Sequence, residues 1–322
     1  MLTIYDTRGQ GLVKREDTAT CEQAVWLDLL NPGKEEERLV EQRLGLLVPT
    51  REEMAEIEVS SRLYQESGAH FMTATVLHQT DTPDPQVTTI TFILTDTRLL
   101  TVRYAEPKAF SLFLGRAAKG DTACDTATGV LLGLLEAIID READLIERLQ
   151  VETEKIAHTI FDIKGGVATR AQRFDVLLKQ IGKEGVITSK ARESLLSLGR
   201  LLTYLAQVAL LRKESDTVRE RIRTGGQDVQ SLADHVTYLN ARITFMLDAL
   251  LGMVSIEQNE IIKVFSVVAV MLMPPTLVAS IYGMNFKHMP ELEWAAGYPL
   301  ALVLMVLSAL LPFLYFRRKG WL

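Results

Sequence analysis

The chain has 322 residues, 48% of them hydrophobic and 24% charged, with a formal net charge of −6. That balance leaves no general basic surface for nucleic acid. Cys21 and Cys124 lie far apart and outside any CxxC or Cys/His cluster, which excludes a disulfide framework; they read as reduced cytosolic thiols.

Mean hydropathy is +0.12, high for a soluble chain with this charge content, and the excess is concentrated toward the C-terminus. The opening residues MLTIYDTRGQ carry no basic start followed by an apolar run, so the long first part is expected in the cytosol. Residues 1–120 read as an α/β domain. LTIY, VWLDLL, SRLYQES, HFMTATVLH, VTTITFILTD and RLLTVRY are short runs rich in Val, Ile, Thr and Tyr, as strands are. Asn31-Pro32 predicts a helix start, with a cap and a proline at the first helical position. Thr50 and Glu53 have capping-box spacing for a second helix.

No proline occurs between Pro107 and Pro274, and residues 121–262 read as a helical stalk. Three helical stretches are expected at 125–163, 168–223 and 227–282, with turns at Gly165-Gly166 and Gly225-Gly226. In the third, Leu232, Val236, Leu239, Ile243, Met246, Leu250, Met253, Ile256 and Glu260 recur every three or four residues. This is the seam of a helix bundle or coiled stalk, with Glu260 its one misfit.

Two uncharged runs follow, Val264 to Tyr282 and Tyr298 to Phe316. Each is about 28 Å long as a helix, against a hydrocarbon core of about 30 Å. Membrane helices are therefore predicted at 263–283 and 298–316, joined by a periplasmic loop at 284–297 and followed by a basic cytosolic tail at 317–322. Lys263 precedes the first span, and Arg317, Arg318 and Lys319 follow the second. The loop holds only Lys287 against Glu291 and Glu293, so both termini are expected in the cytoplasm. Tyr282, Trp294 and Tyr298 suit the outer aromatic belt, and Tyr315 and Trp321 the inner one.

Along the first span Asn259, Ile262, Ser266, Ala269, Met273, Thr276, Ser280 and Gly283 share one helical face. Small and polar residues there suit either close helix packing or the wall of a pore, and a pore would need several copies around an axis. Met273-Pro274-Pro275-Thr276 removes backbone hydrogen bonds at mid-helix. That is either a passive kink or a narrow apolar point that gates by dewetting.

Then come Tyr282-Gly283-Met284-Asn285-Phe286, the sequence Met289-Pro290-Glu291-Leu292, the GYP that opens the second span, and the ending RRKGWL. In this order they closely resemble the CorA family of magnesium transporters, as does NEIIKVFSVVAVMLMPPTLVASIYGMNF as that family's stalk-to-pore helix. The close match covers about residues 245–322. The resemblance implies an α+β membrane protein forming a homopentameric funnel, with a cytosolic α/β domain, a long stalk and two C-terminal membrane helices in the inner membrane. It implies Mg²⁺ influx, with Co²⁺ and Ni²⁺ as lesser substrates, and no cofactor beyond Mg²⁺ itself as substrate and regulatory ligand.

Carried over residue by residue, the selectivity filter is Gly283, Met284 and Asn285. The pore-lining set is Asn259, Ile262, Phe265, Ser266, Met273, Thr276 and Ser280, with Ile262, Phe265 and Met273 as apolar constrictions. Glu291 and Glu293 would concentrate cations at the outer mouth; ordinary solvated loop charge is the plain alternative. Gly283 and Asn285 also suit a simple left-handed helix end. The family's regulatory carboxylates between cytosolic domains have no clear counterpart: one position falls near Thr224, with Asp216 and Asp228 nearby, so those ligands stay open.

Two rival readings are a zinc transporter of the same fold and a membrane-anchored coiled-coil sensor that does not conduct. The kept GMNF and MPEL, and five dispersed histidines at 70, 78, 158, 235 and 288, argue against zinc. No Walker A, GxGxxG, HExxH or Ser/His/Asp signature points to an enzyme.

Overall fold

The structure, a computed structural model, describes residues 1–8, 11–15, 24–120, 124–161, 167–285 and 289–321. Cys21, the Gly165-Gly166 turn, Phe286, Lys287 and His288 lie outside the described residues. Two compact units result, one of Met1–Asp162 with Leu177–Met246 and one of Ile163–Val176 with Leu247–Leu322.

Among the described residues the first unit is built on seven strands: β1 (Leu2–Arg8), β2 (Gly11–Arg15), β3 (Trp26–Leu30), β4 (Leu63–Glu66), β5 (Ala69–His78), β6 (Gln86–Leu94) and β7 (Leu99–Arg103). Their order is β2-β1-β3-β7-β6-β5-β4, antiparallel except for the central β3–β7 pair. Side chains alternate across the sheet, as a period of two requires. Met72, Ala74, Val76, Ile90, Phe92 and Leu94 enter one core, which also holds Phe110 and Phe113 of α4 (Lys108–Ala117) and much of α5 (Ala127–Phe161) and α6 (Val167–Leu211). Phe71, Ile93, Leu27 and Leu29 enter the other, with Val40 of α1 (Lys34–Leu44) and Met54 of α2 (Arg51–Met54). A one-turn helix, α3 (Val59–Arg62), leads into β4.

At the parallel pair a buried charge is fully partnered. Asp28 takes Arg103 Nη2 at 2.7 Å and the Thr101 hydroxyl at 2.7 Å, and Thr101 Oγ1 accepts the Trp26 indole N–H at 3.0 Å. Such pairs are costly to break from one side, because the remaining charge stays buried alone.

Local signals and structure agree at one helix cap and differ at another. The Thr50–Glu53 box forms, with Thr50 N–H to Glu53 at 2.7 Å and Glu53 N–H to Thr50 Oγ1 at 3.3 Å. Asn31 is not a cap: its φ is 44°, and the cap of α1 is Gly33, whose N–H is accepted by Glu36 at 3.1 Å. Glu36 also binds the N-terminal ammonium at 2.8 Å, so tertiary contacts moved the helix start beyond Pro32.

The Gly225-Gly226 turn is likewise absent. Both glycines lie inside α7 (Asp216–Tyr282), and the chain reverses instead at residues 212–215. There Lys213 is left-handed, with φ 53°; the Glu214 N–H reaches back to the Ala209 carbonyl at 3.0 Å, and Ser215 caps α7 through Val218 N–H at 3.3 Å. A Cβ on Gly225 would meet Ile139 and Leu202 at ordinary van der Waals distance, 3.7–3.8 Å, so this face of α7 packs on those side chains and is not a turn.

The stalk seam is buried at Val236, Leu239, Ile243, Met246 and Leu250. Beyond Leu250 it shifts by one residue: Ile256 and Glu260 are exposed and Glu257 is buried.

Candidate ion-conducting site

Among the described residues three helices are long and apolar enough to cross a membrane, within Arg173–Leu211, Asp216–Tyr282 and Gly297–Arg318. Burial separates them. The apolar window of the first is 44% buried within the protein, so it supplies core; those of the other two are 6% buried. The second unit therefore displays two apolar helices, the end of α7 and α8 (Gly297–Arg318), with no protein core of their own.

On α7 the covered stripe is narrow. Val267 is buried, and Ile261, Met271, Pro274, Pro275, Val278 and Tyr282 are half-buried. Ala269, Met273, Thr276 and Ser280 each fall two residues from a covered position on either side, which at about 100° per residue is the opposite face. Asn259, Ile262, Phe265, Ser266, Met273, Thr276 and Ser280 are all exposed, Phe265 at 72% and Met273 at 70%. The small and polar face is thus not the one that packs within the chain.

Pro274 and Pro275 lack N–H groups, which leaves the carbonyls of Val270 and Met271 without their usual partners. The helix runs through both prolines, and Thr276 donates its hydroxyl to Leu272 O at 2.7 Å.

Helix α7 ends at Tyr282. The Gly283 N–H closes the last turn on Ala279 O at 3.0 Å, and a Cβ on Gly283 would lie 3.1 Å from that oxygen. Neither Gly283 nor Asn285 has a positive φ, so the left-handed helix end allowed by the sequence is not the geometry adopted. Gly283, Met284 and Asn285 are exposed, and the Asn285 amide makes no hydrogen bond to another described residue.

Beyond it, Pro290–Leu292 forms a single 3₁₀ turn that leaves Glu291 and Glu293 exposed. Gly297 is buried at the start of α8, with its N–H on Trp294 O at 2.8 Å, and any Cβ there would collide with the Glu291 carbonyl. The loop before α8 therefore depends on a glycine whose role the GYP motif alone did not reveal. At the far end of α8, Arg317, Arg318 and Lys319 are exposed, Lys319 lies over the Tyr315 ring at 5.3 Å, and Phe316 stacks on Trp321 at 5.3 Å.

Among the described residues no three His, Cys, Asp or Glu side chains converge as metal ligands. Asp216 pairs with Arg219 at 2.5 Å, and Thr224 and Asp228 are exposed. Among the described residues the site has neutral amide and hydroxyl oxygens along one exposed helical face, an apolar girdle on the others, exposed carboxylates Glu291 and Glu293 in the outer loop, and Glu257 and Glu260 beside Asn259 at its inner end.

The sequence profile described as "CorA-like Mg2+ transporter protein" matches residues 22–318. The chain is 36% identical to the magnesium transport protein CorA of Pasteurella multocida and 37% identical to that of Salmonella typhimurium, each match covering 100% of both chains. Its fold is similar to the complete structure of the CorA magnesium transporter from Methanocaldococcus jannaschii, with a TM-score of 0.73 at 19% identity, covering 100% of this chain and 99% of the other.

Proposed function

This chain belongs to the CorA-like Mg²⁺ transporter family, and we propose on that premise that it is one subunit of a homopentameric Mg²⁺ channel of the inner membrane. Five copies of the end of α7 surround the conduction path, with the Asn259-to-Ser280 face turned to the axis. Five copies of α8 ring them against lipid. Both termini are cytoplasmic, as the basic flanks Lys263 and Arg317 to Lys319 favour. The observation that carries this reading is the exposed Asn285 amide, without a hydrogen bond to another described residue, just beyond a helix whose polar face is uncovered within its own chain.

The chemistry fits a hydrated ion. Mg²⁺ holds six waters at short distance and sheds them reluctantly. A ring of Asn285 amide oxygens, with Gly283 carbonyls beside them, accepts hydrogen bonds from those waters without replacing them. Neutral oxygens bind weakly enough for release, as conduction requires. Glu291 and Glu293 raise the cation concentration outside that ring.

Ile262, Phe265 and Met273 place apolar rings along the path, where loss of water closes it. The membrane potential supplies the driving force, about 2.3 kcal/mol per elementary charge per 100 mV and twice that for a divalent ion. Co²⁺ and Ni²⁺ pass by the same hydrated route, and intracellular Mg²⁺ favours closure.

Asn285→Ala should abolish Mg²⁺ uptake into liposomes while native mass still gives five copies. Uptake with unchanged selectivity in that variant would remove Asn285 from the filter, and a monomer or dimer by mass would remove the shared pore.

A further inference from the structure

Strand β5 runs past its edge partner. The pairing of β4 with β5 ends at Leu63–Met72, where α3 precedes β4, and beyond it the outer edge of β5 has no strand beside it among the described residues. Such an edge leaves backbone groups that need partners. Side chains from two helices provide them. Ser197 Oγ of α6 accepts the Thr75 N–H at 2.9 Å, and Ser194 Oγ of α6 donates to the Thr75 carbonyl at 3.1 Å. Glu142 of α5 accepts the Leu77 N–H. Ser194 Oγ also bonds Glu142 Oε1, and both side chains are buried, Glu142 at 1% exposure and Ser194 at 0%.

Counting protons decides the state of this cluster. Ser194 has one hydroxyl proton and faces two oxygens, the Thr75 carbonyl and Glu142 Oε1. Both contacts are full hydrogen bonds when Glu142 carries a proton, donates it to Ser194 Oγ, and Ser194 donates onward to Thr75 O; an ionised Glu142 leaves the two oxygens sharing one hydroxyl proton. The second carboxyl oxygen, Glu142 Oε2, is buried without a partner among the described residues, which a neutral acid tolerates far better than a carboxylate does.

Four cations of the packed elements have partners other than Glu142. Arg141 of α5 is held by Thr80, Asp81 and Asp144, and Arg148 by the Thr80 carbonyl. Lys190 of α6 is held by Asp84, Gln86 and the Pro85 carbonyl. Arg62 reaches Thr75 Oγ1 and the Glu56 carbonyl. His78, at the end of β5, has its pKa lowered by burial. None of them forms an ion pair with Glu142 among the described residues.

We propose that protonated Glu142 is a proton-operated latch that fastens α5 and α6 to the open edge of β5, and that it releases as cytosolic pH rises. On ionisation the proton leaves to solvent. Ser194 then turns its single proton to the carboxylate, the Thr75 carbonyl loses its partner, and an unpaired charge is left in the core.

Burial pushes the Glu142 carboxyl from its ordinary 4.5 up to about 8, the Ser194 and Leu77 hydrogen bonds opposing the rise in part. Between those values the unfolded or opened chain has lost its proton and the folded one has kept it. Stability from this group is therefore full below 4.5, falls as pH rises, and is gone above about 8.

The test is hydrogen exchange of β5 peptides in the full chain in detergent, from about pH 6 to 9, corrected for intrinsic rates, in wild type and Glu142→Gln. One proton of linkage corresponds to about a tenfold loss of Thr75 and Leu77 protection per pH unit, levelling above pH 8 in wild type. Glu142→Gln, whose amide donates to Ser194 at every pH, should show no such slope. Parallel profiles in the two proteins would overturn the latch. Should the variant fail to fold, infrared spectra of the wild type must show a protonated carboxyl band at neutral pH that titrates away and shifts in Ser194→Ala; its absence at pH 7 would overturn the latch equally.

Discussion

The sheet domain and the two C-terminal helices use the same apolar residue types in opposite ways. Trp26, Phe71 and Phe92 are at most 1% exposed, whereas Phe265, Met273 and Tyr298 are at least 70% exposed. In the first region large side chains fill space between a sheet and helices, and burial in the protein stabilises it. In the second the chain leaves them outward, and only a lipid or a copy of the same helix removes them from water. The difference teaches that apolar content alone does not locate a core. Helix α6 is apolar enough to span a membrane, yet its window is 44% buried in protein.

Three substitutions test this contrast. Phe92→Ala should cost about 3–5 kcal/mol, because it opens a cavity in a close-packed core; chemical denaturation of the full chain in detergent measures it. A cost under about 1 kcal/mol would mean the sheet core is not packed as described. Val306→Arg, on the exposed face of α8 at 64%, should leave the sheet domain unaffected but penalise insertion by about 2.5–3.5 kcal/mol. Membrane fractionation and protease protection read it, and undiminished insertion would argue that this face does not meet lipid. Thr50→Ala removes a helix cap in the sheet domain and should cost about 1 kcal/mol. It leaves ion uptake intact, so a loss of transport there would blur the division between the regions.

Legibility differed in the same way. The apolar helices could be read because a membrane helix needs only a long uncharged run, and the family because YGMNF and MPEL stand in that order. Six of the seven strands were readable from their β-branched and aromatic runs; β2 (Gly11–Arg15), short and half charged, was not. Gly225-Gly226 looked like a turn, since local propensity cannot know that Ile139 and Leu202 pack against it. Glu142, within DREADLIERL, looks like any solvated helix charge; only its neighbours across the sheet edge single it out.

The amino-acid order by itself determined the features that depend on one segment meeting one solvent: two lipid-length helices, their basic flanks, a stalk with a regular seam, and a neutral amide motif after the first span. The tertiary structure decided which helix starts and turns were used, which face of α7 stays uncovered, and which carboxyl is buried against the sheet edge. Those outcomes depend on contacts between residues far apart in the chain, such as Met1 with Glu36 or Thr75 with Ser194, and no local pattern encodes the energy of a contact with a distant partner.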